Sequence, residues 1–529
     1  MEVSGVLAPM SEQGRPMQVG YAGQPLRRLA LSAIALGIFA FWAFYYGYCL
    51  FPGLGGVMNS GDTAKFQTLA HTQILVHGPG YPLMLMLGAL LRSLDLPVEP
   101  WRAMTFMMAA IPGSIANAMA FLIVQRVTRS ILFGIAGSLL LGSAGLMAVQ
   151  STEAEVYPLA LAFILLTTLL LVHFVETSQR RYFIAACAVY ALSFGNHLMM
   201  IMMVPLFLIL TLVHWRILLR PKVIASVLLV IAVGASQYLY LAYIAYHPAT
   251  AFSEYMPLPP TPTELIQYIS GSYFGGLYGA GLRSTYTSET LLVTLRSAHP
   301  WVSLPLIIAG LILFAAGWRR RDASWTGVAL VFGVALSFLP FMIWYGAYDI
   351  QAFHLPVLGP LLVGAVGACG WWLCRWKVAQ TTTALVLIVL GGWRAFIMAE
   401  GLTAREPVFT GLPHTVASLV AQAPTENPLV SMTYNLRMAT LYHELQGELP
   451  SARYRVPWRV ETALADGEPV AGIVVPTDGE QLLRWIEHHH PDLKCQAWSL
   501  DQQDTTPWPA YGFECDRMPE RDTKGGDGP

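Results

Sequence analysis

Charge is what this sequence has little of. Of its 529 residues only 12% are Asp, Glu, Lys or Arg, and 55% are hydrophobic, whereas an average soluble domain carries roughly 25% charged residues. No water-soluble fold can hide that much apolar surface, which excludes a soluble globular protein and predicts a chain that crosses the bilayer many times. A net charge of -1 lacks the basic excess that nucleic-acid binding requires, so no nucleic-acid partner is expected. No cleavable leader is expected from residues 1–51 either. Residues 1–25 are polar and Gly/Gln-rich, and the first apolar run, Leu29–Phe51, has the length of a spanning anchor. Metal-ligand spacings such as His-Glu-x-x-His are absent, which leaves a divalent ion among Asp62, Glu155 and histidines chemically conceivable but unsupported. Internal repeats and interrupted central helices are absent too, which counts against a transporter or lipid flippase, the main rival reading. Of six cysteines, Cys49, Cys187, Cys369 and Cys374 sit in apolar runs as small hydrophobes. Cys495 and Cys515 lie in polar sequence, where a disulfide can form if that part faces an oxidising compartment.

What is present is a series of about eleven apolar runs, near 29–51, 102–125, 131–149, 157–175, 182–195, 198–215, 223–246, 301–317, 325–346, 353–373 and 379–397. Basic residues gather in alternate loops: Arg27/Arg28, Arg126/Arg129, Arg180/Arg181, Arg216/Arg220/Lys222, Arg319–Arg321 and Arg375/Lys377. The loops at 150–156, 195–197 and 347–351 have none. The positive-inside rule then puts residues 1–28 in the cytoplasm and, with an odd number of spans, the C-terminal part outside. Reading Tyr81–Leu94 as a span would break this alternation, so Gln67–Leu94 is expected to form helices along the outer surface, with His71, His77, Arg92 and Asp95 near headgroups. The predicted fold class is an all-α polytopic membrane protein with a small C-terminal α/β domain. The membrane domain covers 29–397, with outer loops at 52–101 and 247–300; a soluble domain follows at 398–519 and a disordered tail at 520–529. Strands are expected at Val430–Met432 and Ile473–Pro476, and helices at Met438–Leu445 and Gly479–His489.

The polar clusters all fall in loops on one predicted side. Asn59-Ser60-Gly61-Asp62-Thr63-Ala64-Lys65-Phe66-Gln67 puts a carboxylate just beyond the first span, where a base can meet a lipid-borne substrate. Asp62 can equally serve as a helix cap. Gln150-Ser151-Thr152-Glu153-Ala154-Glu155-Val156-Tyr157 sets two acids at a membrane edge, a costly placement that marks function, although Thr152 and Glu155 also suit a capping role. Gly195-Asn196-His197 and Tyr348-Asp349 complete the set; His197 has a structural reading as a buried hydrogen-bonder, and Asp349 as an N-cap.

Gly61-Asp62-Thr63-Ala64-Lys65-Phe66-Gln67 followed by His77-Gly78-Pro79-Gly80-Tyr81-Pro82-Leu83 resembles the paired signature of a family of multispanning proteins. That family is related to protein O-mannosyltransferases of the GT-C glycosyltransferase superfamily. Gln150, Glu155-Val156-Tyr157, Gly195-Asn196-His197, Tyr348-Asp349, Phe353 and Pro356 resemble its later motifs in order, so the likeness covers about residues 50–360. The resemblance implies a GT-C-like membrane fold and a glycosyltransferase that moves a sugar, mannose or another hexose, from a polyprenyl-phosphate donor. The acceptor would be a hydroxyl of a protein or envelope glycan on the outer face of a bacterial inner membrane. Asp62 takes the place of the family's loop aspartate as base, with Glu155 as the second catalytic candidate. Lys65, His77, Arg102, His197 and Arg283 are the candidates to hold the donor phosphate. Asn59, Gln67, Tyr81, Gln150, Tyr157, Asn196, Tyr348 and Asp349 are expected around the substrate. Three positions depart from the family pattern: Lys65 replaces a glutamate, Gly78 a proline and Met84 an aromatic. They keep a scaffold that has lost its activity as a further alternative.

The orientation is testable by fusion reporters. Alkaline phosphatase joined after residue 517 is expected to be active, and the same enzyme placed within the Arg126–Arg129 loop inactive; the reverse pattern overturns the topology.

Overall fold

A computed structural model describes residues 24–517 apart from 95, 253–258, 282–284, 300, 320–321, 348–349, 424–425, 427, 457–470, 476–483, 485, 489–490 and 501–509. Among the described residues seven helices are long and apolar enough to cross a membrane: Arg28–Tyr48, Pro100–Thr128, Tyr157–Thr177, Pro221–Ala245, Ala323–Trp344, Ala352–Leu373 and Lys377–Thr403. The other four expected spans are helical but shorter: Ile131–Gly142, Arg180–Ser193, Leu198–Val213 and Ser303–Arg319. With 14 residues, Arg180–Ser193 rises only ~21 Å at about 1.5 Å per residue, short of a hydrocarbon layer of roughly 30 Å. The 131–149 run is broken because the chain turns at Ser143, whose hydroxyl donates to the Leu139 carbonyl at 2.6 Å, before a short helix restarts at Gly145–Gln150. The expected eleven runs are thus all helical, and seven of them reach full spanning length.

Ala352–Leu373 is buried along almost its whole length and forms the centre of the bundle, whereas Arg28–Tyr48, Pro221–Ala245 and Lys377–Thr403 leave most of their surface uncovered. The uncovered side chains are apolar, Leu228 and Val389 among them, as a lipid-facing surface requires. Inside the bundle, helices meet through small residues. A Cβ added to Gly134 would lie 2.7 Å from the Phe121 ring, and one added to Gly310 would lie 2.6 Å from the Ala365 Cα.

Between the spans, the segment after the first helix folds back as a compact unit: helix Ser60–Thr68, strand β1 (Ile74–Leu75) and helix Pro82–Ser93. Strand β1 pairs in parallel with β2 (Ala251–Phe252) of the long 247–300 segment, so two segments distant in sequence share an edge. Arg92 donates to the carbonyls of Leu69 and Thr72, which seats the Pro82–Ser93 helix on the unit. Asp95 lies outside the described residues.

The C-terminal part carries a five-stranded sheet of β3 (Leu429–Met432), β4 (Arg453–Arg455), β5 (Ala471–Val475), β6 (Leu493–Ser499) and β7 (Tyr511–Arg517), in the order β4-β3-β5-β7-β6. β3 pairs in parallel with β4 and β5, and β7 is antiparallel to β5 and β6. The two expected strands are β3 and β5. The expected helix at Met438–Leu445 begins earlier, at Tyr434, and that at Gly479–His489 lies largely outside the described residues. Cys495 and Cys515 stand opposite each other in the β6–β7 ladder and are joined by a disulfide. The core of this unit, with Leu412, Val430, Leu436 and Ile473, extends into Leu54 and Ala64 of the first loop.

One buried ion pair ties the C-terminal unit to the bundle. Arg405, just past Lys377–Thr403, donates to Glu153 at 2.8 Å, to the Cys49 carbonyl at 2.7 Å and to the Thr152 hydroxyl at 2.9 Å. The Phe51 amide donates to the Thr152 carbonyl at 2.9 Å, so three chain segments meet there. Burial pushes the Glu153 carboxyl upward, and the Arg405 guanidinium opposes that rise. Arg405→Leu should therefore cost about 3–5 kcal/mol, because it leaves a buried acid without its cation. Thermal unfolding in detergent should show the loss and its partial recovery in Glu153→Gln/Arg405→Leu; a single variant that melts like the parent would refute the clamp.

Candidate functional site

Asp62 owes its position to the start of the Ser60–Thr68 helix. Asn59 caps that helix by accepting from the Asp62 amide at 3.3 Å, and its side-chain amide donates to Asp62 Oδ2 at 3.0 Å. Gln67 fixes the loop leading in: it accepts from the Gly55 amide at 2.8 Å and donates to the Gly53 carbonyl at 3.2 Å and to Thr105 at 3.1 Å. Thr63 donates to Glu155 at 3.1 Å, which anchors the same helix to the 150–156 loop. The cap expected at Asp62 is thus supplied by Asn59, and Asp62 lies within the first turn of the helix.

Around the Asp62 carboxylate a mixed cluster closes. Lys65, one turn along the helix and wholly buried, donates from Nζ to Asp62 Oδ1 and to His77 Nδ1. The Tyr434 hydroxyl, from the C-terminal unit, donates to Asp62 Oδ1 at 2.8 Å and accepts from Lys65 at 3.0 Å. Because His77 Nδ1 accepts from the ammonium, the imidazole proton sits on Nε2, 3.2 Å from the Tyr81 hydroxyl and 4.0 Å from Asp62 Oδ2. Tyr81 holds φ 47° and ψ 56°, a left-handed backbone costing roughly 1–2 kcal/mol in a residue with a Cβ. Its ring, packed edge-on against Phe66, is thereby turned towards His77.

Asp62, His77, Tyr81, Tyr157, His197 and Tyr434 line a cavity of about 350 Å³ whose remaining wall is mostly apolar, with the rings of Phe274, Tyr278, Phe341, Tyr345 and Phe353 among aliphatic side chains. The 271–279 segment is held there by backbone bonds from Gly279 to the Trp344 carbonyl at 3.0 Å and from Gly346 to the Leu277 carbonyl at 2.9 Å. His197 is brought in by the Leu83 amide, which donates to the Gly195 carbonyl at 2.9 Å. An apolar groove of about 770 Å³ opens beside the cavity, and the two share Phe194, Leu198 and Ser270.

The charges are arranged asymmetrically. Burial works against ionisation of Asp62, but the Lys65 charge and the donated hydrogen bonds outweigh it, holding the carboxyl well below the usual carboxylate range. Burial, reinforced by Lys65, pushes His77 down to about 3, and burial pushes His197 down to about 4. Both imidazoles are therefore neutral at neutral pH and serve as hydrogen-bonding groups instead of cations. The site can accept a proton at Asp62 and hold an uncharged, ring-shaped ligand against aromatic faces.

The remaining sequence candidates separate clearly. Glu155 is buried and does not line the cavity; its carboxylate supports Thr63. Asn196 donates to the Val156 carbonyl at 3.0 Å and Gln150 to Met58 Sδ at 3.4 Å, both away from the cavity wall. Lys65 stands behind Asp62 and Arg102 is exposed on the Pro100–Thr128 helix, so neither faces the cavity. Arg283, Tyr348 and Asp349 lie outside the described residues. Among the described residues no group of three or more His, Cys, Asp or Glu side chains is placed to hold a metal ion. Tyr434 was missed as a site residue, since nothing in its local sequence connects it to a loop 372 positions earlier.

Residues 62–218 match the family described as the protein O-mannosyl-transferase TMEM260 N-terminal domain. The match begins at Asp62 and bears out the resemblance carried by the Gly61–Gln67 and His77–Leu83 motifs. Among solved structures, the chain is similar to ArnT from Cupriavidus metallidurans bound to undecaprenyl phosphate, at 12% identity over 93% of this chain and 98% of that one, with a TM-score of 0.49. The apo form of the same protein gives 13% identity with the same coverage and TM-score. The Archaeoglobus fulgidus oligosaccharyltransferase in complex with Zn and sulfate gives 11% identity over 79% of this chain and 62% of that one, with a TM-score of 0.43. By its description, the family matched over residues 62–218 is one of protein O-mannosyl-transferases.

The contact between the Ser60–Thr68 and Tyr434–Leu445 helices depends on Gly61. A Cβ there would lie 2.5 Å from Asn435 Oδ1, 3.0 Å from the Asn435 Cα and 3.0 Å from the Tyr434 ring. Gly61→Ala is expected to push the two helices apart, lowering the melting temperature by several degrees for about 1–3 kcal/mol of overpacking and speeding protease cleavage in the 404–411 linker. An unchanged cleavage rate and melting temperature would show that the contact yields freely.

Proposed function

We propose that this chain, with its resemblance to GT-C glycosyltransferases, moves a hexose, with mannose the first candidate, from a polyprenyl-phosphate donor to a hydroxyl of a protein or envelope glycan. The reaction is placed on the extracytoplasmic face of a bacterial inner membrane, with residues 1–28 in the cytoplasm. The observation that carries the reading is the Asp62 carboxylate at the wall of an aromatic cavity that opens onto an apolar groove, 19% of its side chain being exposed. A substrate with a long hydrocarbon tail and a compact polar head has the same division. The polyprenyl chain would lie along the groove among Phe207, Val227 and Ile231, and the sugar would lie against the Tyr157 and Phe353 rings.

In the step itself, the acceptor oxygen forms a bond to the anomeric carbon as the bond to the phosphate oxygen breaks, and the polyprenyl phosphate departs with the electron pair. The acceptor's proton passes to Asp62. A carboxylate held ionised by Lys65 is a weak base, but it suffices here because the hydroxyl becomes strongly acidic only as its oxygen bonds to carbon. Direct displacement inverts the configuration at that carbon. Neutral His77 and His197 supply hydrogen bonds to the sugar hydroxyls. The neutral imidazoles and the buried Lys65 support a division in which Lys65 sets the state of Asp62 and leaves the donor phosphate to other groups.

Purified protein in nanodiscs, given radiolabelled polyprenyl-phosphate mannose and membrane acceptors, tests the reading. Asp62→Asn is expected to reduce transfer by on the order of 10²-fold or more without lowering its amount in the membrane. Full transfer by that variant would reject Asp62 as the base.

A further inference from the structure

The C-terminal unit places a polar group of its own inside the site. Tyr434 opens the helix that follows β3, and its place is set by the sheet: the Thr433 amide donates to the Val475 carbonyl at 3.2 Å, while Leu436 and Met438 anchor the helix in the unit's core. The ring then reaches the cavity wall. Its hydroxyl donates to Asp62 Oδ1, which also accepts from Lys65, while Asp62 Oδ2 accepts only the Asn59 amide among the bonds given above. A carboxylate has about four lone-pair sites. Two strong donors on Oδ1 therefore fix the carboxylate and leave Oδ2, which accepts from Asn59 and lies 4.0 Å from His77 Nε2, with lone-pair capacity to take a proton.

We infer that Tyr434 is a positioning residue for Asp62, and that the C-terminal unit completes the reaction site by orienting the base from outside the membrane bundle. This rests on the proposed transferase reaction. Removing the hydroxyl would free the carboxylate to rotate and, by deleting a donor to its charged form, make it more basic. The groups facing Asp62 that would remain are Lys65 on its own helix and His77 on the following loop, with Tyr81 and His197 behind the imidazole and Glu155 behind Thr63. None of them replaces a neutral donor to Oδ1.

Tyr434→Phe in the full chain keeps the ring and the packing against Gly61. In the transfer assay it should lower kcat about tenfold, leave KM for the donor within about twofold, and move the acid limb of the rate profile up by roughly one pH unit, the loss of one hydrogen bond to a charged group. An arm that needs no turnover uses Asp62→Cys in a Cys374→Ser background, with iodoacetamide alkylation followed against pH. The thiol should titrate at higher pH when Tyr434 is Phe, because the hydroxyl that stabilises the thiolate is gone. If the parent protein transfers no sugar, the transferase reading fails and the alkylation arm alone decides. Rate and alkylation profiles that coincide for Tyr and Phe would overturn the inference and leave Tyr434 as part of the wall.

Discussion

A wholly buried ammonium is the constraint on which the site depends. Removing a charged amine from water costs several kcal/mol even after relaxation, and the cost is recovered only if anions and acceptors surround it closely. Lys65 finds them on three separate pieces of chain: Asp62 on its own helix, His77 on the next loop and Tyr434 in the C-terminal unit. Each depends on the others. Without Tyr434 and His77 the ammonium would lose two of its acceptors, and without the ammonium the desolvation of Asp62 would push its carboxyl upward. The first loop, the bundle and the C-terminal unit are thus coupled by the need to satisfy one charge.

The same arrangement explains how the site can be polar beside an apolar groove. Asp62 and Lys65 cancel each other, both lining histidines are neutral, and the rest of the cavity wall is aromatic and aliphatic. The low net charge limits the desolvation cost of a cavity beside an apolar groove, while the Asp62 side chain stays partly exposed. The Glu153–Arg405 pair follows similar logic a short distance away, but all of its contacts are internal, and it holds segments together without facing the cavity. Two acids that look alike in the 150–156 segment have thereby taken different structural partners, Arg405 for Glu153 and Thr63 for Glu155.

Much of this was legible in the amino-acid order. The apolar runs mark every long helix of the bundle, since a spanning segment must satisfy its backbone internally and hide no charge. The Gly-Asp and His-Gly-Pro-Gly-Tyr motifs lead to Asp62, His77 and Tyr81, which do meet at one cavity. Lys65 was expected to face a phosphate and instead turns back on its own helix, because a side chain three residues from an aspartate is already within reach of it. Gln67, Gln150 and Asn196 were expected beside the substrate and are instead spent on hydrogen bonds within the protein, as buried amides generally are.

Composition, periodicity and short motifs are local properties, and they determined what is local: a polytopic helical chain, a polar C-terminal region and a candidate carboxylate just after the first apolar helix. Which groups surround that carboxylate is a matter of contacts across hundreds of residues, and no local pattern encodes a pairing between positions 62 and 434. Only the tertiary structure decided that the lysine guards the aspartate, that both histidines are neutral, and that the last domain reaches into the site. The physical reason is that burial and neighbouring charge, which set the state of an ionisable group, exist only after distant segments have packed together.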